Sequence, residues 1–203
     1  MNQKERMLAG LPYRAWLDGL AEERQQARQR TYAYNLLAPD KDAERDRLIR
    51  EILGRCGKEL YVEPPFRCDY GTHIQVGENF YANFGLTILD VAPVIIGNNV
   101  MFGPNVSVFT AGLPLHPDSR NSGYEYGISI SIGDNVWIGG NTVINPGVHI
   151  GNNAVIGSGS VVTKDIPDNA VAAGNPCRVL RFITEADREF YYKDRKFDIN
   201  PFE

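Results

Sequence analysis

Through the middle of the chain, apolar residues fall every six positions. One series runs Ile96, Phe102 and Val108, then resumes as Ile132, Ile138, Ile144, Ile150, Ile156 and Val162. A second lies two residues ahead of it: Val94, Val100 and Val106, then Ile130, Val136 and Val148, with the small residues Thr142, Ala154 and Ser160 in the remaining places. Glycine follows the main series at Gly97, Gly103, Gly133, Gly139, Gly151 and Gly157. Two inward side chains two residues apart make a short strand, because strand side chains alternate faces. The segment after them must turn, and Gly, Asn and Asp tolerate the positive φ that tight turns need. Three strand-and-turn units close one coil, and coils stacked at about 4.8 Å share a dry aliphatic core. The pattern predicts a parallel β-helix.

The same period begins earlier, at Val76, Ala82 and Ile88, and shifts by two residues through Val91-Ala92-Pro93. A sandwich of short strands is the alternative, but a sandwich imposes no six-residue register over so many units. The left-handed triangular form is expected, an exception to the right-handed crossover rule for parallel strands. Three zones follow: a helical segment at 1–57, the β-helix at 58–167, and a tail at 168–203. Within the first, the stretch from Glu22 to Tyr34 holds no Gly or Pro and reads as helix. A second helix is predicted from Asp42 to Leu53, with Gly54 as its C′ residue. In the tail, Thr184 and Asp187 have capping-box spacing, which predicts a short helix from Thr184 to Lys193.

The repeat is interrupted once at length. Between Val108 and Ile130 lies FTAGLPLHPDSRNSGYEYGIS, about 109–129, too polar and too rich in Gly and Pro to continue the core. A solenoid accepts such an excursion because each coil touches only its neighbours, and one this long is usually functional or disordered. It carries His116 between Pro114 and Pro117, which restrict its backbone. Histidine titrates nearest neutrality among side chains, so His116 is a candidate general base. His73 and His149 lie within the strand pattern and read as structural or surface residues.

Composition narrows the rest. A formal charge of −4 argues against nucleic acid as the main partner, and no apolar run is long enough to span a bilayer. Cys56, Cys68 and Cys177 are scattered without C-x-x-C spacing, so neither a zinc cluster nor a disulfide framework is suggested. The first residues lack the apolar run of a signal peptide, and a reduced cytoplasm is the expected setting.

An ordered set of motifs then carries a resemblance over nearly the whole chain. TYAYN, VEPPFRCDYG, YANFG, GNNVMFGPNV, LHPDSRNSGYEYG, IGDNVWIGGNTVINPGVHIG, VIGSGSVVTKDIP and AAGNPCRVLR together resemble the maltose and galactoside O-acetyltransferase family, built on hexapeptide repeats. The resemblance implies a homotrimer with sites between subunits. It also implies acetyl transfer from acetyl-CoA to a sugar hydroxyl, commonly the 6-hydroxyl. By this match His116 is the base, Asn83 binds the acceptor and stabilises the transition state, and Asp69 contacts the sugar. Glu125 is a candidate for orienting His116 or the sugar. Trp137 and Gly140 fall near the thioester, Ser158, Thr163 and Lys164 along the cofactor groove, and Arg178 and Arg181 at its phosphate-bearing end. No metal is implied.

Two positions depart from the pattern. Acidic residues that touch the sugar in galactoside enzymes align with Ala15 and Val91, which favours a glucose- or maltose-type acceptor; Asp18 and Asp90 are the nearby candidates to replace them. Three other readings remain open on sequence. A zinc carbonic anhydrase on the same fold would need three converging His, and the chain has three in all without a close pair. A non-catalytic assembly module would have no use for the histidine-bearing excursion. An acetyltransferase with a non-sugar acceptor would keep the cofactor groove and change the CDYG and YANFG region.

Overall fold

The computed structural model describes residues 1–201. Its body is a parallel β-helix of three sheets. Sheet I contains β1 (Leu60–Val62), β4 (Phe80–Ala82), β7 (Met101–Phe102), β12 (Trp137–Ile138), β15 (Val155–Ile156), β17 (Ala170–Gly174) and β18 (Cys177–Phe182), the last pair antiparallel. Sheet II contains β2 (Arg67–Cys68), β5 (Thr87–Leu89), β8 (Ser107–Phe109), β13 (Val143–Ile144) and β16 (Val161–Val162). Sheet III contains β3 (Ile74–Val76), β6 (Val94–Ile96), β11 (Ile130–Ile132) and β14 (His149–Ile150). Both six-residue series point inward and are buried, Thr142 and Ser160 included. These two buried hydroxyls donate to the carbonyls of Gly139 and Gly157, so neither is left unsatisfied.

The turns hold a finding that the repeat did not foretell. Positive φ falls on asparagine rather than on the glycine after each strand. Asn99, Asn135, Asn153 and Asn169 stack at one corner with φ of 54–58°, and their amides join Asn79 in a ladder of hydrogen bonds of 2.8–3.0 Å. The glycines serve close approach instead. A Cβ on Gly97 would lie 2.7 Å from the Gly133 carbonyl oxygen of the next coil.

All irregularity of the solenoid gathers at the corner between sheets II and III. From Ile144 to Ile150 the main series steps by the regular six, but Cys68 to Val76 and Ile88 to Ile96 each contain two extra residues. Val108 to Ile132 contains the whole excursion, which leaves through β9 (Ala111–Gly112) and returns through β10 (Tyr126–Gly127), paired antiparallel. Three insertions on one edge build a shelf beside an otherwise uniform prism.

The N-terminal helices are α1 (Gln3–Leu8), α2 (Leu20–Asn35) and α3 (Asp42–Ile52). The second and third match the predicted spans closely. Gly54 follows α3 as expected, but for another reason: the helix ends in extended Leu53, and a Cβ on Gly54 would strike the Thr72 carbonyl oxygen at 2.1 Å. In the excursion α4 (Pro117–Asn121) is a single short helix. The predicted helix at Thr184–Lys193 is corrected. Glu185–Glu189 is a 3₁₀ turn, followed by the hairpin of β19 (Phe190–Tyr192) and β20 (Arg195–Lys196). The Asp187 carboxylate does accept from the Thr184 N–H at 2.8 Å, so the cap signal marked a true helical start. The aromatic run FYY then favoured strand pairing.

Candidate functional site

Two edges of the prism carry the residues singled out from sequence. At the corner between sheets I and II, strand register stacks Asn83 and Phe84 under Gly103 and Pro104, then Gly139 and Gly140, then Gly157 and Ser158. The Asn83 carboxamide oxygen accepts from the Phe84 N–H at 2.7 Å, which leaves its NH₂ group as the outward donor. Gly140 is needed for close stacking, since a Cβ there would meet Pro104 at 3.0 Å. Trp137 lies on the outer face of sheet I, 54% exposed. The edge continues to Gly174, whose N–H donates to Ser160, and to Arg178, paired with Ala173 across β17 and β18. From Asn83 to Gly174 spans four coil spacings, about 19 Å. This edge offers a straight ridge of backbone with a donor at one end and a cation at the other.

The second edge, between sheets II and III, carries Asp69 at one end and the exposed Thr163 and Lys164 at the other. Here the chain makes an acidic corner. Asp90 is fully buried; its Oδ1 accepts from the N–H groups of Asp69 (3.0 Å) and Tyr70 (2.9 Å), while Oδ2 is buried without a hydrogen-bond partner. Burial pushes the Asp90 carboxyl above its usual range. Thr110, also buried, ties this corner to the next coil by donating to the Leu89 carbonyl at 2.7 Å and accepting from the Ala92 N–H at 3.0 Å. Asp69 is half-buried on the rim of a cleft of about 580 Å³ between α2 and sheet II. Burial raises its pKa to about 6, with the Asp90 charge adding and the Arg24 charge opposing.

Glu125 is fixed by a residue that the motifs did not flag. Tyr13 donates its hydroxyl to the Glu125 carboxylate, and the two backbones exchange hydrogen bonds at 2.9 and 3.0 Å. Burial, then the carboxylate, drives the Tyr13 phenol well above its ordinary pKa, so it remains a donor. Arg24, buried despite its charge, donates to the Tyr70 hydroxyl (2.7 Å) and the Ala15 carbonyl (2.6 Å). Tyr13 and Arg24 reach this corner from more than 45 residues away in sequence, and no local periodicity marks such contacts. The two-residue insertions at 69–73 and 90–93 were the one available signal.

His116 stands apart from both edges. It is the N-cap of α4 at the tip of the excursion, where Nδ1 accepts from the Asp118 N–H at 3.2 Å; its side chain is 69% exposed and the adjacent Leu115 94%. With Nδ1 so engaged, Nε2 is the nitrogen open to a reacting proton. The two terminal arginines also part company. The Arg178 guanidinium donates to the Cys177 carbonyl at 2.8 Å. Arg181 is held in two hydrogen bonds by Asp187 at 2.8 and 2.9 Å.

The departures at Ala15 and Val91 have a structural sense. Both are buried in one small cluster with Met7, Tyr13, Leu20 and Tyr70. Of the two nearby acids, exposed Asp18 accepts from the Gln3 N–H at 2.7 Å through one carboxylate oxygen, and Asp90 is buried. Among the described residues, no group of three or more His, Cys, Asp and Glu is placed to hold a metal ion, and no helix is long and apolar enough to cross a membrane.

Comparison with known proteins agrees in both sequence and shape. Residues 6–57 match the maltose acetyltransferase hexapeptide capping motif, 93–115 the hexapeptide repeat of succinyl-transferase, and 129–164 six repeats of the bacterial transferase hexapeptide. Galactoside O-acetyltransferase of Escherichia coli (strain K12) is 47% identical over 198 residues, covering 98% of each chain. A crystal structure of a maltose O-acetyltransferase from Clostridium difficile 630 superposes with a TM-score of 0.90 at 50% identity, over 91% of this chain and 99% of that one. A galactoside acetyltransferase in complex with coenzyme A superposes with a TM-score of 0.95 at 47% identity, over 98% and 100%.

Proposed function

Because the chain belongs to the maltose and galactoside O-acetyltransferase family and is a sugar O-acetyltransferase, we propose that it moves an acetyl group from acetyl-CoA to the 6-hydroxyl of a sugar by direct attack, with His116 as general base, in a site completed by two subunits of a cyclic trimer. The observation that carries this reading is the division of the site. Asn83, Gly140 and Ser158 share one edge, and Asp69, Thr163 and Lys164 the other. Sheet II separates them, by about 16 Å for the five residues from Ser158 to Thr163. His116 projects from the second edge on an arm. Setting the first edge of one subunit against the second edge of its neighbour brings donor, base and cofactor ridge into one cleft, and closed rotational symmetry repeats that contact three times.

In that cleft Asp69 and Glu125 hold the acceptor. His116 Nε2 takes the proton of the sugar hydroxyl as its oxygen attacks the thioester carbonyl, worth about 10²–10⁴-fold. The Asn83 NH₂ group of the partner subunit, with its inner oxygen already engaged, and the Gly140 backbone face the carbonyl oxygen as charge develops. The thiol leaves with a proton returned through His116, so no covalent enzyme intermediate is needed. Ser158, Thr163, Lys164 and Arg178 line the cofactor, and Trp137 flanks it.

The test is thiol release from acetyl-CoA with glucose, maltose, a galactoside and their 6-deoxy forms. Release with a 6-hydroxyl sugar and none with its 6-deoxy form is expected. Release that ignores the sugar, or equal rates with 6-deoxy sugars, would overturn the acceptor assignment.

A further inference from the structure

Among the described residues Trp16 is the most exposed aromatic ring, at 75%. A tryptophan in water forgoes the largest apolar burial any side chain offers. Yet the ring is not loose. The Arg24 guanidinium lies 4.9 Å from its centroid, and that guanidinium is itself pinned by Tyr70 and the Ala15 carbonyl. A buried cation thus fixes one face of the indole and leaves the rest of the ring to solvent. An orientation set beforehand lowers the ordering cost of stacking on it.

Its position ties it to the acceptor. Arg24 touches Trp16 and Tyr70, and its charge acts on Asp69. Tyr13, three residues earlier, holds Glu125. Next to Trp16, Ala15 is buried with Val91 in an apolar cluster that includes Tyr13 and Tyr70. Asp69 and Glu125 remain to grip the reacting ring. Beyond Arg24, what the lip of the corner presents to solvent is the indole of Trp16.

We propose that Trp16 is the platform for a second ring of the acceptor: the enzyme takes glycosides of two units, and the C–H face of the sugar or aryl ring next to the reacting one lies on the indole. This rests on the sugar-acetylating reading above. The experiment compares wild type with Trp16→Ala and Trp16→Phe on glucose, methyl glucoside, maltose and phenyl glucoside. For the two-ring acceptors Trp16→Ala lowers kcat/KM about tenfold through KM, one-ring acceptors stay within about twofold, and Trp16→Phe keeps most of the wild-type value. A loss on maltose alone identifies a sugar as the second ring, and a loss on phenyl glucoside alone an aryl group. Equal losses on all acceptors, no loss on any, or an altered sedimentation coefficient of Trp16→Ala would overturn the proposal. A second readout separates it from the transfer reading. The chain has two tryptophans, so in Trp137→Phe the emission comes from Trp16 alone. A maltose-dependent change in that emission supports the platform even if wild type acetylates no sugar. Thiol release by wild type with maltose and a silent Trp16 sinks the platform and leaves the transfer standing.

Discussion

At the scale of single residues, His116 and Asp69 differ in how their surroundings prepare them. The His116 ring is met within its own chain by Asp118, whose N–H donates to Nδ1 and whose carboxylate lies 3.7 Å from it. Its removal leaves the solenoid core untouched, so His116→Ala should lower kcat by about 10²-fold or more, with KM values moving much less. An unchanged sedimentation profile separates lost chemistry from lost structure, and a folded variant with near wild-type turnover would end the assignment. Asp69 is prepared by burial. Its folded pKa of about 6 lies above the unfolded value of 3.8, so between those pH values the folded state binds more protons and stability falls as pH rises. The burial of the ionised group then costs roughly 1–3 kcal/mol at pH 7.5. Asp69→Asn should therefore raise the urea midpoint at pH 7.5 and lose most of that advantage near pH 4. A variant with the same pH slope as wild type would show that Asp69 titrates normally.

Among the elements, the terminal hairpin of β17 and β18 puts two arginines into different work. Arg178 is paired with Ala173 beside the end of the ridge at Gly174, whereas Arg181 is bound to Asp187 and steadies the turn that begins at Thr184. Both residues belong to one motif, PCRVLR, and sequence alone gave them one role. The geometry predicts a split. Arg178→Ala should raise the KM for acetyl-CoA severalfold, as loss of a charged hydrogen bond to phosphate does, without altering the KM for sugar. Arg181→Ala should shift acetyl-CoA kinetics less and expose the 184–189 turn to faster amide exchange. Equal effects of the two on acetyl-CoA would mean that Asp187 releases Arg181 to the cofactor.

For the whole molecule, the separation of Asn83 from His116 makes a prediction that does not depend on measuring assembly alone. If each site takes Asn83 from one subunit and His116 from the next, co-expressed Asn83→Ala and His116→Ala chains mix into trimers in which about a quarter of the sites hold both wild-type groups. Thiol release should recover to that order from two nearly inactive parents. No recovery from verified mixed trimers would place both groups in one subunit and remove the edge-to-edge arrangement. Sedimentation of wild type as a stable, fully active monomer would remove it as well.

The sequence by itself determined the solenoid, because a six-residue register of inward side chains is written locally and each coil needs only its neighbours. It also marked the excursion and His116 as the break in that register, and the motifs carried the family. The helices at 20–35 and 42–52 were legible in composition, and the start at Thr184 in its cap, though the aromatic run after it paired as strand. Only the tertiary structure decided that every insertion falls on one corner, that Asp90 is a buried brace and Asp18 a cap, that Tyr13 holds Glu125, and that Arg24 fixes Trp16 at the lip. Two of these ties, Tyr13 to Glu125 and Arg24 to Tyr70, join the N-terminal segment to coils far along the chain. Local periodicity describes which face a side chain takes; which distant face it meets is set by the closing of the prism.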